Sequence, residues 1–369
     1  MRLRFPFLAP LLAAATLCCT TATSDEFTRV HRAAPLIDTH NDVTSFTVDG
    51  RDIGANRGLG HTDIQRFRQG GVGATFFAIY VAADYAAKGR AAHRALEMID
   101  TVKRDIVGRY PNDFVLARTA DEIETARKQG KIAALMGIEG GHAIEESLRL
   151  LRTFHDLGVR YMTLTHSNTN NWADSSGMIG TPGEKRHGGL SDFGREVVLE
   201  MNRLGMMVDI SHVSDDTFAD VLETSRAPVF ASHSSCRAVT NVGRNMTDDM
   251  IRAMARKGGV IQINFACQFV SEESAAASRA KKPRVRAALE DVVAHIDHAV
   301  KIGGIDAVGI GSDFDGISCT PRGLDDVSKF PDLTRALLKR GYSAEDIRKL
   351  YRENTLRLMR AVEKVAASG

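Results

Sequence analysis

Short apolar runs alternate with longer segments of helical periodicity along nearly the whole chain. Runs rich in Val, Ile, Leu, Ala and Phe fall at 36–39, 74–81, 132–138, 161–165, 207–211, 229–232, 260–265 and 307–311. Continuous apolar character of this kind marks strands buried on both faces, as in a parallel sheet covered by helices. Between them, stretches beginning Asp121-Glu122-Ile123, Asp192-Phe193-Gly194 and Thr247-Asp248-Asp249 open on N-cap residues with acids in the first turn. Each then keeps an apolar stripe at helical spacing, read as packing against the sheet. Gly70-Gly71, Gly130, Gly158, Gly205, Gly258-Gly259 and Gly303-Gly304 each precede a run, where a helix C′ residue takes up left-handed backbone. Eight such units predict an α/β fold, a (β/α)8 TIM-like barrel, with residues 25–369 as its single domain. Residues 271–286, where small and basic residues gather, read as the least regular stretch, either a solvated excursion or a loop over the mouth.

Polar residues at the ends of these runs turn a fold into a chemistry. His40, His166, His212 and His233 each close a run, and Asp42, Glu139 and Asp313 hold comparable places. In a barrel of this kind all strand ends share one face. A carboxylate there is costly unless it is paired or bound to metal. His40 and Asp42, two residues apart, can turn into one cavity and hold a divalent ion. His212 and His233 end neighbouring strands and can converge, and Glu139, ahead of Gly140-Gly141, can put one oxygen on each of two cations. Two imidazoles and one carboxylate oxygen leave the open position that catalytic zinc requires. Asp313 ends the eighth run beside the first, where it could take a proton from water and return it to a leaving amine. Asp315 is the better candidate for capping the following helix. His166 either polarises a scissile carbonyl or orders its own polar loop, and Arg244 offers a planar fork to a substrate carboxylate or makes an exposed salt bridge.

Composition narrows the setting. The 369 residues are 43% hydrophobic and 25% charged, an ordinary globular balance. Residues 1–24 stand apart: Arg2 and Arg4 precede an apolar run at 5–17 that is too short to span a bilayer, and small residues follow. This predicts a secretory signal peptide cleaved near Ala22 or Thr23, and export to a bacterial periplasm or the extracellular space. Lipid anchoring at Cys18 or Cys19 is the less favoured outcome, because Leu17 and Cys18 stand where such processing wants small residues. The formal charge of +2 includes Arg2 and Arg4, so the remaining charges balance. A neutral surface without a basic stripe argues against nucleic acid as a partner. No second apolar stretch approaches the roughly 18 residues of a transmembrane segment. Cys236, Cys267 and Cys319 are odd in number and lack C-x-x-C spacing, which predicts neither a disulfide framework nor a thiolate zinc site, only small buried hydrophobes.

Taken in order, Asp38-Thr39-His40-Asn41-Asp42, the stretch 137–142, Leu164-Thr165-His166, Asp209-Ile210-Ser211-His212-Val213-Ser214, Ser232-His233-Ser234-Ser235, Arg244-Asn245 and Asp313-Phe314-Asp315-Gly316 resemble the membrane dipeptidase (renal dipeptidase) family, peptidase family M19. The likeness runs from about residue 33 to about residue 359. It implies two zinc ions, one held by His40 and Asp42, the other by His212 and His233, with Glu139 bridging them. It further implies hydrolysis of free dipeptides, L,L and also L,D, by a metal-bridging hydroxide, with Asp313 as proton shuttle, His166 on the carbonyl side and Arg244 near the C-terminal carboxylate. Thr39 stands where many members have glycine. The C-terminal anchor and the cysteines of mammalian members are missing, so a disulfide-linked dimer is not implied, while a non-covalent homodimer is. Two other outcomes remain open on the residues: a related binuclear hydrolase of lactams or acylated amino acids, and a peptide-binding barrel without turnover.

Overall fold

Eight parallel strands succeed one another around a single sheet in chain order: β1 (Leu36–Asn41), β2 (Val72–Tyr80), β3 (Ile132–Glu139), β4 (Val159–Thr163), β5 (Met207–Asp209), β6 (Phe230–Ser234), β7 (Val260–Ile263) and β8 (Val308–Ile310). The computed structural model describes residues 24–55 and 58–368, so the expected signal peptide and Cys18 and Cys19 lie outside the described residues. Helices cover the outside, and the ring closes between β8 and β1. There the Thr39 hydroxyl reaches Ile310 O (3.2 Å) and Ser232 O (2.7 Å), and the amides of Asp313 and Asp42 donate to His40 O and Phe314 O. Asp38 adds a buried clamp, accepting from the Ser312 amide at 2.8 Å and its hydroxyl at 2.6 Å. The (β/α)8 barrel expected from the apolar pattern is therefore the observed fold.

Alternation along the strands fills the interior. Ile37, Ala74, Phe76, Ala133, Leu135, Tyr161, Met207, Phe230 and Val260 point inward and pack as one cluster, with the Tyr161 ring 5.3 Å from Phe76 and 5.4 Å from Phe230. A Cβ on Gly137 would occupy the space of the Tyr161 ring, which explains the glycine inside β3. Above this apolar layer the inward positions turn small and polar: Thr39, Thr163, Asp209 and Ser232 are all fully buried. The layer forms the floor of the mouth.

Several sequence expectations need correction. The strands at 161–165, 207–211 and 260–265 stop two residues early, at Thr163, Asp209 and Ile263. Side chains replace the ladder there: the Asn170 amide donates to Leu164 O, and the Asp209 carboxylate takes the Ser211 amide. The caps of the helices at 120–128 and 192–204 are Thr119 and Ser191, not the aspartates after them, whereas Thr247 caps as expected. Residues 271–286 are irregular only in their second half: Ser271 caps a helix at Glu272–Arg279 and buried Ala275 and Ala277 dock it, whereas 282–286 is a largely exposed stretch without regular structure, tied down where Arg284 and Arg286 bond the carbonyls of Ser318, Thr320 and Pro321. Small alanines read as loop residues are strong helix formers.

Cysteine spacing also misled. Cys267 and Cys319 form a disulfide across 52 residues, with Cα atoms 5.6 Å apart, while Cys236 is free and buried. Cys267 follows β7 and Cys319 follows β8, so barrel adjacency pairs them, and no local spacing records that adjacency. No helix among the described residues is long and apolar enough to cross a membrane.

Candidate active site

The mouth lies at the carboxyl ends of the strands, in a cavity of about 450 Å³ lined by Asp42, Glu139, His166, His212, Arg244 and Asp313 among others. His40 and His233 sit just beneath, fully buried, their rings stacked at 3.8 Å. All eight residues singled out from the sequence thus meet in one place.

Glu139 is the last inward residue of β3 and stands at the centre. Its Oε1 faces His212 Nε2 at 2.9 Å and His233 Nε2 at 3.3 Å, with His166 Nε2 at 3.9 Å. Its Oε2 faces His40 Nε2 at 3.7 Å, and that nitrogen lies 3.2 Å from Asp42 Oδ2. Three overlapping sets keep their ligating atoms within 4.8 Å of one another: His40, Glu139 and His233; Glu139, His166 and His212; His40, Asp42 and Asp313. In the first two sets His166 pairs with His212 and His40 with His233, a partition different from the expected His212 and His233 pair. His212 Nε2 and His233 Nε2 are nonetheless 3.0 Å apart and share Oε1 of Glu139.

The donor set fits divalent cations. His40 Nε2 and Asp42 Oδ2, though 3.2 Å apart, are buried without a well-aligned hydrogen-bond partner, a costly state for a nitrogen and a carboxylate oxygen unless a cation satisfies them. Burial opposes the His40 imidazolium, yet Tyr161, Asp42 and Glu139 together carry its pKa well above the ordinary value. Burial also opposes the Glu139 carboxylate, but His40, His166, His212 and His233 hold it well below the usual range. The pocket is built for concentrated positive charge, which His40 supplies by protonation and a metal ion would supply with the imidazole neutral. At His212 and His233 burial pushes the pKa well down, which keeps their rings neutral, the form that ligates.

Backbone shape serves the same end. His212 (φ 69°) and Asp313 (φ 64°) are non-glycine residues in left-handed backbone, a conformation costing about 1–3 kcal/mol each and kept only where surrounding contacts enforce it. For Asp313 those contacts are its amide on His40 O and its Oδ2 on the Asn264 amide at 2.8 Å. Burial and the neighbouring Asp42 and Glu139 carboxylates, opposed by the His40 charge, push its pKa up to about 8. Gly316 lies against both acids, and a Cβ there would collide with Asp42 Oδ2 and Asp313 Oδ1.

Arg244 is buried, not an exposed ion pair: its guanidinium donates to His233 O (3.0 Å) and Ser234 Oγ (3.3 Å), lies over Phe269, and keeps Nε unpaired. His166 projects from the loop after β4 between Tyr80 and His212, and desolvation lowers its pKa. Asp315 caps no helix; it accepts from the His61 amide at 2.9 Å and faces Arg51 at 3.4 Å, while Asp326 caps the next helical turn. Sequence reading missed Tyr161, whose hydroxyl meets His40 Nδ1 at 2.8 Å, and Asn264 and Asp209. A polar residue inside an apolar run was the available signal for the last two.

Residues 24–369 match the family model of membrane dipeptidases. The chain belongs to the membrane dipeptidase family, peptidase family M19. Dipeptidase verJ of Clonostachys rogersoniana is 41% identical over 351 residues, which cover 90% of this chain and 85% of that relative. Among solved structures, a metallo peptidase from Rhodobacter sphaeroides, liganded with a phosphinate mimic of the dipeptide L-Ala-D-Ala, superposes with a TM-score of 0.80 at 31% identity, covering 89% of this chain and 99% of that one. The probable dipeptidase PvdM from Pseudomonas aeruginosa gives 0.82 at 26% identity, covering 93% and 98%. Members of this family are metallopeptidases, and this chain is a dipeptidase-like member with clusters of residues able to hold metal.

Proposed function

We propose that the protein is a binuclear zinc dipeptidase that hydrolyses free dipeptides, L,L and L,D alike. The division of Glu139, one oxygen toward His212 and His233 and the other toward His40, carries this reading. One zinc would be held by His40 and Asp42, the second by His212 and His233, with Glu139 shared. Bound there, such a pair supplies Lewis acidity toward the carbonyl and a nucleophile from water near neutral pH.

The protein's own residues do the rest. Arg244, desolvated and with Nε free, receives the C-terminal carboxylate and fixes the register of the substrate. His166, neutral at the rim, donates to the carbonyl oxygen as charge builds on it. Asp313, a carboxylate whose pKa burial raises, takes the proton from the attacking water and returns it to the amine that leaves. A cavity of about 450 Å³ suits a dipeptide and little more. The L-Ala-D-Ala mimic seated in the Rhodobacter sphaeroides relative supports tolerance of a D-residue at the C-terminal position. Export is part of the proposal, and the Cys267–Cys319 disulfide supports it, since such bonds persist in oxidising compartments.

Turnover of an L,L- and L,D-dipeptide panel by purified protein, with zinc content measured before and after chelation, tests the reading. Asp313→Asn should lose at least about 100-fold in kcat while retaining near-stoichiometric zinc. A fully active Asp313→Asn enzyme would remove that residue from proton transfer, and activity untouched by complete metal removal would end the proposal.

A further inference from the structure

Beneath the mouth, a fully buried carboxylate acts on one of the imidazoles through a serine. Asp209, the last residue of β5, accepts the amides of Ser211 (3.0 Å) and Ser232 (2.8 Å) on Oδ1. Its Oδ2 accepts the hydroxyls of Thr163 (2.5 Å) and Ser232 (2.6 Å). Ser232 Oγ also lies 2.8 Å from Nδ1 of His233, the next residue. All four side chains are buried to within 1% of completely.

We propose that Asp209 and Ser232 are a positioning pair that fixes the tautomer and tilt of His233, leaving its Nε2 as a bare lone pair aimed at the metal side. The direction follows from counting protons. Four donors surround Asp209: two backbone N–H groups on Oδ1, which can only donate, and the Thr163 and Ser232 hydroxyls, which direct their protons to Oδ2, so the carboxylate is an acceptor throughout. The single proton of the Ser232 hydroxyl is committed to Asp209 Oδ2. Ser232 Oγ can then only accept from His233, so the imidazole proton resides on Nδ1. Nε2, 3.3 Å from Glu139 Oε1, carries none. Carboxylates commonly orient ligating histidines directly; here a hydroxyl is interposed, because Asp209 is also needed to clamp β5 to β6.

A second clamp in the same barrel separates the two duties. Asp38 grips Ser312 through the same pair of bonds, amide at 2.8 Å and hydroxyl at 2.6 Å, but the further contacts of that hydroxyl are with the His40 carbonyl and the Phe314 amide, not with an imidazole. The Asp38 clamp closes a seam; the Asp209 clamp closes a seam and also holds a ring. His212, in contrast, has no hydrogen-bond partner on Nδ1 among the described residues, so His233 is the member of its pair whose orientation is enforced.

The inference rests on zinc binding at His212 and His233, and the test keeps the two apart. Metal-free wild type, Ser232→Ala and Ser232→Thr are titrated with Zn2+ against a chromophoric chelator, and the His233 ring nitrogens are followed by 15N NMR in wild type. Wild type should show two binding steps and a protonated Nδ1 on His233. Ser232→Ala should weaken one step by about 10–100-fold and leave the other unchanged, while Ser232→Thr, which keeps a hydroxyl, should restore wild-type binding. Two unaltered steps in Ser232→Ala, or an unprotonated Nδ1 in zinc-loaded wild type, would overturn the positioning role while leaving the metal site standing. Wild type that binds no zinc would overturn the metal site and the inference with it. If Ser232→Ala fails to fold, the wild-type NMR result decides alone.

Discussion

At the scale of single residues, function here depends on how near one side chain may come to another. Gly316 illustrates the limit, since its missing Cβ is what lets the Asp42 and Asp313 carboxylates lie against the backbone. Gly316→Ala should therefore lower kcat/KM by about 100-fold or more and weaken metal retention, with little change in the Tm of the metal-free protein because the position is exposed. Wild-type kinetics in that variant, measured at saturating zinc, would show that the loop yields without cost. Seven of the eight site residues were legible because each is a polar group placed at or just past the end of an apolar run. Arg244, in the polar segment Asn241-Val242-Gly243-Arg244-Asn245, had no such mark and read equally well as an exposed salt bridge. Asp209, Ser232 and Tyr161 were not legible, although they lie in the same runs. Whether a buried polar residue in a strand is a cost or a support depends on its partners in the next strand, and Ser232 becomes one for Asp209 only once β5 and β6 are paired.

Elements are tied to one another by a few buried polar contacts whose strength varies with pH. His295, on the helix Leu289–Gly303, accepts the Cys236 amide on Nδ1 at 3.0 Å, with Nε2 3.2 Å from Val270 O, so it joins that helix to the segments after β6 and β7. Burial pushes its pKa down to about 4. The unfolded chain takes up a proton near pH 6.5 and the folded chain does not until about pH 4. Stability contributed by this neutral histidine is thus fully present above about pH 6.5 and is lost as pH falls toward 4, by about 3 kcal/mol in all. Urea unfolding of wild type and His295→Gln between pH 7.5 and 4.5 should give a shallower pH dependence in the variant; parallel curves would refute the assignment. The order and kind of all eight strands were readable, because burial on both faces leaves an unbroken apolar run. Strand ends, the helix at Glu272–Arg279 and the Cys267–Cys319 bond were not, since each is decided by what lies beside it in the barrel.

For the whole molecule, the proposed metals are part of the folding equilibrium as well as the chemistry. His40, Asp42, Glu139, His212 and His233 come from four strand ends, so cations that bind them bind only the folded barrel. At free zinc about a thousandfold above Kd, each site adds about 4 kcal/mol, and chelation should lower Tm on the order of 10 °C. Calorimetry with and without chelator checks this, and an unchanged Tm would detach the metals from stability. The seam between β1 and β8 has a consequence of its own. Asp38 and Ser312 stand 274 positions apart, and the cup formed by His40, Asp42 and Asp313 exists only after they meet. A nascent chain still short of its eighth strand has every histidine of the mouth already made and nowhere to gather them, so the enzyme is born inert and comes alive with its last stitch.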